Sequence, residues 1–518
     1  MLRCLELKRK IYASLAIVIF LVALAFCLRI LNIDKEFTGD EQTLVSISKL
    51  PLHGLLSELK QREVYPPLTY ILFHYWLVLN QSAGWLRLYF ILFGIGTCIL
   101  IYMIAGEYLG DRCARIALAL SAFSPLLIFI SQVSRSYSDS AFWMLLSAFF
   151  MLKIVKGEDN IYSRTGYVAA AAISIYTFYF SALFICIQLI FFLIFQPKKW
   201  RYFGKTLLTA FAIAAIFLPW IPSALGQFRN TSSIVYDWSD KGFNLGPFRF
   251  GLYARNMISL IGLDPSFMIF QGGVTKHFSK FLLAGVVFST FILGSAFLYH
   301  CYRYLKSAFP GPSEKPLIWF PFFLSLGPLI MSWLTAGTLN VLPNARYLVA
   351  PHALFLLLIS VFVCSIWLKG RRYGMITLSL ILLIFATRIP YAVSPEIDYR
   401  GSTRFLSEHL PGTACLICIG DCPALPGKSN LVVVEGKYVI MNERKSGYLP
   451  LPEEGLMSFK DKIRPFYSAW LYKVYGHYEV FGLYDQIDRL LKESGYKSIA
   501  TVHFQNVDIV QYKKDGAL

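Results

Sequence analysis

The chain has 518 residues, of which 56% are hydrophobic, 16% aromatic and only 15% charged, whereas roughly 25% of residues are charged in a typical soluble protein. Its formal charge of +18 suits a nucleic-acid partner only if the basic residues share a soluble face. They cluster instead in short loops between apolar runs, where Lys and Arg set membrane topology, so nucleic acid is excluded as a partner.

Apolar runs of about 20 residues recur along most of the chain, the mark of a polytopic α-helical membrane protein. The first, Ile11–Leu31, follows Lys8-Arg9-Lys10. It is long for a signal peptide, and Phe26-Cys27-Leu28-Arg29 offers no small-residue cleavage site, so it reads as a signal-anchor span with a cytoplasmic N-terminus. Further spans are expected at Trp85–Tyr108, Arg115–Ser131, Asp139–Val155, Thr206–Ala224, Phe281–Tyr302, Leu317–Thr335, Tyr347–Leu368 and Tyr373–Tyr391. Tyr167–Phe195 is too long for one untilted span. All the basic loops face the cytoplasm only if that stretch is a hairpin of two spans and Pro66–Leu79 does not cross. The latter opens with Pro-Pro and carries Tyr70, His74, Tyr75 and Trp76, a composition suited to a helix in the outer interface. The expected total is about 11 spans, with the C-terminus outside. The membrane domain is thus residues 1–392, with outer loops 32–84 and 226–280.

Residues 393–518 lose the long apolar runs and read as a small extracytoplasmic α/β domain. Helices are expected at Thr403–His409 and Tyr484–Ser494, and strands at Ala414–Ile419, Leu431–Glu435, Ser498–Phe504 and Val507–Tyr512. Tyr438–Tyr478 is rich in aromatics and has no clear period. Cys415-x2-Cys418-x3-Cys422 lacks a second half at matching spacing, so it reads as strand residues with at most one disulfide, not as a metal site.

Candidate chemistry collects on the outer side. Asp40 and Glu41 follow Gly39 where the chain leaves the first span, and a carboxylate there suits a general base acting on an incoming hydroxyl or amine. Glu41 is either a tuning neighbour or a ligand for a divalent cation. Arg135 and Asp139 sit four apart, so on a helix they would share a face and pair. Arg135 alternatively holds the acidic pair or meets a phosphate, for which its planar fork is suited. Arg346-Tyr347 opens a span, where a cation opposes the helix dipole and asks for an anion. Lys276, after Gly272-Gly273, is a further phosphate contact or a snorkelling lysine. Tyr137, Tyr347 and His74 complete the supporting set.

In order, these motifs are Asp40-Glu41, Tyr65-Pro-Pro-Leu68, Trp85-Leu-Arg-Leu88, Leu109-Gly-Asp-Arg112, Leu120-Ser-Ala-Phe-Ser-Pro125, Ser131-Gln-x-x-Arg-x-Tyr137 and Ala345-Arg-Tyr-Leu348. Over roughly the first 390 residues the pattern resembles the GT-C membrane glycosyltransferases, in the branch of protein O-mannosyltransferases and aminoarabinose transferases. The resemblance implies inverting transfer of a hexose or pentose from a polyprenyl-phosphate donor to a lipid, glycan or protein acceptor, at the outer face of a cell (inner) membrane. Asp40 would be the catalytic carboxylate with Glu41 beside it, and Arg135 and Arg346 would hold the acid or the leaving phosphate. No soluble nucleotide sugar is implied. Two departures stand out. Tyr65 replaces the family's frequent histidine, and Val133 replaces the glutamate of Gln-Glu-Ala-Arg. Those departures keep open a non-catalytic relative that binds polyprenyl lipid. A transporter or flippase of lipid-linked sugars is the other alternative, but charges at span ends and the lack of a repeat argue against it.

Overall fold

The computed structural model describes residues 2–35, 37, 39–195, 199–227, 295–297, 299, 315–339, 345–393, 399–411, 414–419, 431–434, 438–439, 447–448, 459–474, 483–504 and 507–514. These fall into two compact units, one up to residue 393 and one from residue 399.

The first unit is helical. Helix α1 (Leu2–Ile30) leads into α2 (Gly39–Ser48), α3 (Leu52–Arg62) and α4 (Leu68–Leu79), three short helices in the expected outer loop 32–84, of which only α4 matches a helix expected there. Pro51, Pro66 and Pro67 separate them, since proline disfavours helical backbone in the residue before it. At 12 residues, α4 is about 18 Å long, too short to cross a hydrocarbon core of about 30 Å. Helices α5 (Ala83–Leu109), α8 (Ser138–Val155), α11 (Lys199–Phe217, running on through a tight turn to Gln227) and α13 (Val349–Lys369) are long and apolar enough to cross, as is α1. Among the described residues that makes five candidate spans, or six if a bent pair counts as one. The expected span at Phe281–Tyr302 and the outer loop beyond residue 227 lie outside them.

The expected hairpin at Tyr167–Phe195 is two helices, α9 (Ile161–Thr177) and α10 (Phe180–Phe195), broken at Phe178-Tyr179. The expected span Arg115–Ser131 is not one straight helix. It is α6 (Asp111–Phe123) and α7 (Pro125–Ser131), bent by 58°. Pro125 cannot donate to the helix before it, and Ser124 starts a new one by accepting the Leu127 amide at 3.3 Å. The Ser124 hydroxyl also lies 2.8 Å from Nε2 of His352 on α13.

Arg29, fully buried near the end of α1, holds the same bend. Its guanidinium donates to the carbonyls of Ser121 (3.2 Å) and Ala122 (3.3 Å) at the end of α6, to the Ser131 hydroxyl on α7 (3.2 Å) and to the Cys98 sulfur on α5 (3.3 Å). A cation on helix-terminal carbonyls gains both hydrogen bonds and the helix dipole. In lipid, helices associate through close packing instead of apolar burial, and α6 supplies small buried residues for it, Ala114, Ala117, Ala119 and Ala122. Twelve consecutive buried residues, Val349–Ser360, mark α13 as enclosed on all sides. Helix α12 (Lys315–Leu339) packs against it, followed by α14 (Arg371–Ala386) and α15 (Ile389–Val393).

The second unit is α/β. Its five-stranded sheet has the order β2-β1-β5-β7-β6, from β1 (Cys415–Ile419), β2 (Leu431–Val434), β5 (Ser468–Val474), β6 (Tyr496–Phe504) and β7 (Val507–Lys514). Two-residue strands β3 (Tyr438–Val439) and β4 (Gly447–Tyr448) pair separately. The central strands β1 and β5 run parallel, and β7 runs antiparallel to both β5 and β6. Helices α16 (Tyr399–His409) and α17 (Leu483–Glu493) belong to the same unit. Central strand β5 lies in the aromatic-rich stretch without a clear sequence period; Ala469 and Leu471 join one core cluster and Trp470 and Tyr472 another. Cys418 is disulfide-bonded, whereas Cys415 is a free buried thiol.

Close packing of α5 on α7 yields a test. A Cβ at Gly94 would lie 2.0 Å from the Ser131 hydroxyl and 2.8 Å from its Cβ, and Arg29 and the Leu127 carbonyl already fix that serine. Gly94→Ala is expected to destabilise the protein by about 1–3 kcal/mol. Gly204→Ala, with open space around it, should be neutral or slightly stabilising. Thermal unfolding of the two detergent-purified variants checks the contrast.

Candidate active site

The segment leaving α1 is fixed by one buried ion pair. Glu41, in the first turn of α2, is 1% exposed, and Arg87, at the start of α5, is 0% exposed. Arg87 Nε donates to Glu41 Oε1 at 3.1 Å and Nη2 to Oε2 at 3.0 Å, the two-pronged geometry that makes arginine–carboxylate pairs strong. The other terminal nitrogen, Nη1, donates to the carbonyls of Ile33 (2.8 Å) and Lys35, and the Phe37 ring lies 4.7 Å from the guanidinium carbon. Arg87 therefore holds the chain on both sides of the α1–α2 connection.

Glu41 Oε1 also accepts the Ser134 amide at 2.9 Å. That contact ties α2 to the turn between α7 and α8. Gln132, in the same turn, donates to the carbonyls of Arg29 (2.8 Å) and Leu31 (2.7 Å) at the end of α1, and its oxygen accepts from Lys35 Nζ at 3.1 Å. Asp40 precedes Glu41 and lies in the first turn of α2 by its backbone; its side chain lies outside what the structure describes.

Arg135 and Asp139 do not form the pair their spacing suggests. Residues 132–137 are a turn, not helix, and α8 begins only at Ser138, so the i, i+4 geometry never forms. Asp139, fully buried, accepts from the Thr69 hydroxyl at 2.6 Å and from the Ser140 amide at 2.9 Å. Arg135, 4% exposed, donates through Nη1 to the Tyr70 hydroxyl at 2.9 Å, lies 3.5 Å from Glu63 Oε1, and stacks over Tyr65 at 4.9 Å.

Tyr137 joins an aromatic cluster. Its hydroxyl is 2.9 Å from that of Tyr65, and its ring centre lies 5.7 Å from Phe178 and 6.1 Å from Tyr347. Burial pushes the pKa of Tyr65 well above that of an ordinary tyrosine, so its hydroxyl stays protonated. Arg346 and Tyr347 are half-buried in a 3₁₀ turn, Ala345–Tyr347. The expectation that Arg346 opens the α-helix is therefore corrected, since α13 starts at Val349. Arg346 lies over Phe129 at 5.9 Å. His74 Nδ1 donates to the Ser48 carbonyl at 2.8 Å and so closes the end of α2, a tie within the fold. Lys276 lies outside the described residues.

Glu41 does not suit a divalent cation, because a guanidinium engages both of its oxygens. Among the described residues no three His, Cys, Asp or Glu side chains group closely enough to hold a metal ion.

Sequence reading missed Glu63 and the partner roles of Arg87, Thr69 and Tyr70. The one available signal was Arg87 itself, a charge at the mouth of a span, which demands a carboxylate.

Comparison with known proteins agrees with this architecture. Residues 65–222 match the family described as dolichyl-phosphate-mannose-protein mannosyltransferase. No curated protein matches the chain in sequence. In structure the chain is similar to ArnT from Cupriavidus metallidurans in the apo state, with TM-score 0.52 and 12% identity over 96% of this chain and 98% of that one. It is also similar to the same protein bound to undecaprenyl phosphate, with TM-score 0.50 and 12% identity over 95% and 97% of the chains. The archaeal oligosaccharyltransferase AglB from Archaeoglobus fulgidus matches at TM-score 0.49 and 14% identity, over 89% of this chain and 69% of that one. The chain is a multi-pass membrane protein that shares the fold of ArnT.

The buried pair can be tested directly. Arg87→Met leaves the Glu41 charge buried and should cost about 3–5 kcal/mol, whereas Glu41→Gln/Arg87→Met together should recover most of that stability. Thermal unfolding of the single and double variants in detergent measures the difference; equal losses in both would refute the pairing.

Proposed function

We propose that the chain is an integral membrane glycosyltransferase that moves a sugar from a polyprenyl-phosphate donor to a lipid, glycan or protein acceptor at the extracytoplasmic face. One observation carries this reading. The Glu41–Arg87 pair and the Ser134 amide fasten the first turn of α2, which bears Asp40, to the turn that bears Arg135. An acid and a phosphate-binding cation are thereby joined through a rigid, dehydrated contact. The match of residues 65–222 to dolichyl-phosphate-mannose-protein mannosyltransferases supports the donor class, as does the fold shared with a protein crystallised with undecaprenyl phosphate.

In this reading Asp40 is the general base. It takes the proton from the acceptor's hydroxyl or amine as that atom attacks the anomeric carbon, and the bond from that carbon to the phosphate oxygen breaks. A single displacement inverts the anomeric configuration of the transferred hexose or pentose. Arg135 and Arg346 stabilise the charge left on the polyprenyl phosphate, as fixed cations in a water-poor site do well. Lys276 is assigned as a further phosphate contact. Tyr137, Tyr347 and His74 act by holding the surrounding elements, and Asp139 by anchoring Thr69. Glu41 contributes by position, with Arg87 neutralising its charge.

The basic loops put the N-terminus in the cytoplasm and the outer loops across the membrane. The disulfide at Cys418 fits an oxidising compartment for the second unit, which supports assigning residues 393–518 as an extracytoplasmic domain.

Asp40→Asn should lower transfer of labelled sugar from a polyprenyl-phosphate donor in membranes by about 100-fold or more, with folded protein unchanged. Wild-type activity in that variant would remove Asp40 as the base.

A further inference from the structure

One continuous stretch, residues 63–70, determines where both Arg135 and Asp139 point. Glu63, Tyr65 and Tyr70 surround the Arg135 guanidinium, while the Thr69 hydroxyl takes Asp139. Pro66 and Pro67 sit in the middle of the stretch, and their fixed φ angles make it a stiff clamp. Tyr65 is fastened further, by the Tyr137 hydroxyl and by stacking on Phe178 at 5.9 Å.

Within this clamp the contacts of Arg135 differ in strength. The bond to Tyr70 is 2.9 Å, but the distance to the Glu63 carboxylate is 3.5 Å, longer than the 2.7–2.9 Å or so of a strong charge-assisted bond. Glu63 is only 9% exposed, so its charge acts on Arg135 through a medium of low polarity. Among the described side chains, Glu41 pairs with Arg87, and Asp139 accepts from Thr69 and the Ser140 amide. Glu63 itself also accepts the amide of Val64 at 3.1 Å, a bond that would keep the carboxylate satisfied if the ion pair opened.

We propose that Glu63 is a positioning residue that serves as the exchangeable counter-ion of Arg135. It neutralises the guanidinium while the donor site is empty and gives way when the donor's phosphate arrives. The exchange keeps Arg135 aimed by Tyr65 and Tyr70 throughout, and it moderates the grip on the polyprenyl phosphate left after transfer, so that this product leaves. The proposal rests on the reading of Arg135 as a phosphate ligand. It adds that the affinity of the site for phosphate is set by competition with an internal carboxylate.

The sign of the effect separates this role from a structural one. Glu63→Gln removes the competing charge and keeps the shape. Affinity for polyprenyl monophosphate should rise about tenfold, a difference of roughly 1.4 kcal/mol, and turnover should fall as product release slows. Glu63→Asp, which keeps the charge, should restore affinity to near the wild-type value. The experiment titrates polyprenyl monophosphate into purified wild-type, Glu63→Gln and Glu63→Asp protein in detergent, with thermal unfolding of each as a check on folding. Phosphatidylglycerol in a parallel titration reports on ordinary lipid phosphate, for which no gain is expected. Weaker or unchanged binding by a folded Glu63→Gln protein overturns the counter-ion role while leaving the transferase reading intact. An equal gain for phosphatidylglycerol overturns its link to the donor. If the wild-type protein neither binds polyprenyl monophosphate nor transfers sugar from its conjugates, the transferase reading itself fails, and this inference with it.

Discussion

The ion pair between Glu41 and Arg87 is the contact on which the rest of the site depends. A carboxylate and a guanidinium that are both essentially inaccessible would each be costly alone in a membrane-embedded protein. Together they satisfy one another through two parallel bonds, and their remaining capacity goes to backbone groups on two segments, the stretch after α1 and the α7–α8 turn. The result joins the end of α1, the first turn of α2, the start of α5 and the α7–α8 turn. Such a pair adds little to stability compared with apolar residues of the same shape. Its value lies in geometry, because it fixes the segment that carries Asp40.

The bent helix α6–α7 does comparable work on the other side of that junction. A straight helix from Asp111 to Ser131 would carry Gln132–Tyr137 onward as another helical turn. The break at Ser124-Pro125 redirects the chain, and Arg29 satisfies the carbonyls that the break exposes. Arg29, Gln132 and Arg87 are thus polar residues buried next to irregular backbone. In lipid such backbone persists only where the protein supplies its hydrogen bonds. The three side chains meet that demand.

Much of the architecture was legible in the sequence because hydropathy and charge depend on local composition. The expected span Trp85–Tyr108 differs from α5 by only two residues at one end and one at the other. The two α/β helices and the strands at Cys415–Ile419 and Val507–Lys514 fall where their periodicity puts them. What the sequence hid was nonlocal. Glu41 and Arg87 are 46 residues apart, and no spacing rule connects them. The i, i+4 rule suggested a partner for Arg135 that the structure does not give it, because the rule presumes a helix. The residues before Ser138 form a turn whose bonds go to α1 and α2. Strand β5 was hidden differently, since buried on both faces it shows no polar alternation.

The Glu41–Arg87 pair matters more for placing Asp40 than for keeping the protein folded. The most direct measurement is sugar transfer by the Glu41→Gln/Arg87→Met protein, normalised to the amount folded. A displacement on the order of 1 Å at the base costs about 100-fold in rate, so the double variant should be folded yet slower than wild type by at least about that factor. Wild-type turnover in a folded double variant would contradict that role of the pair.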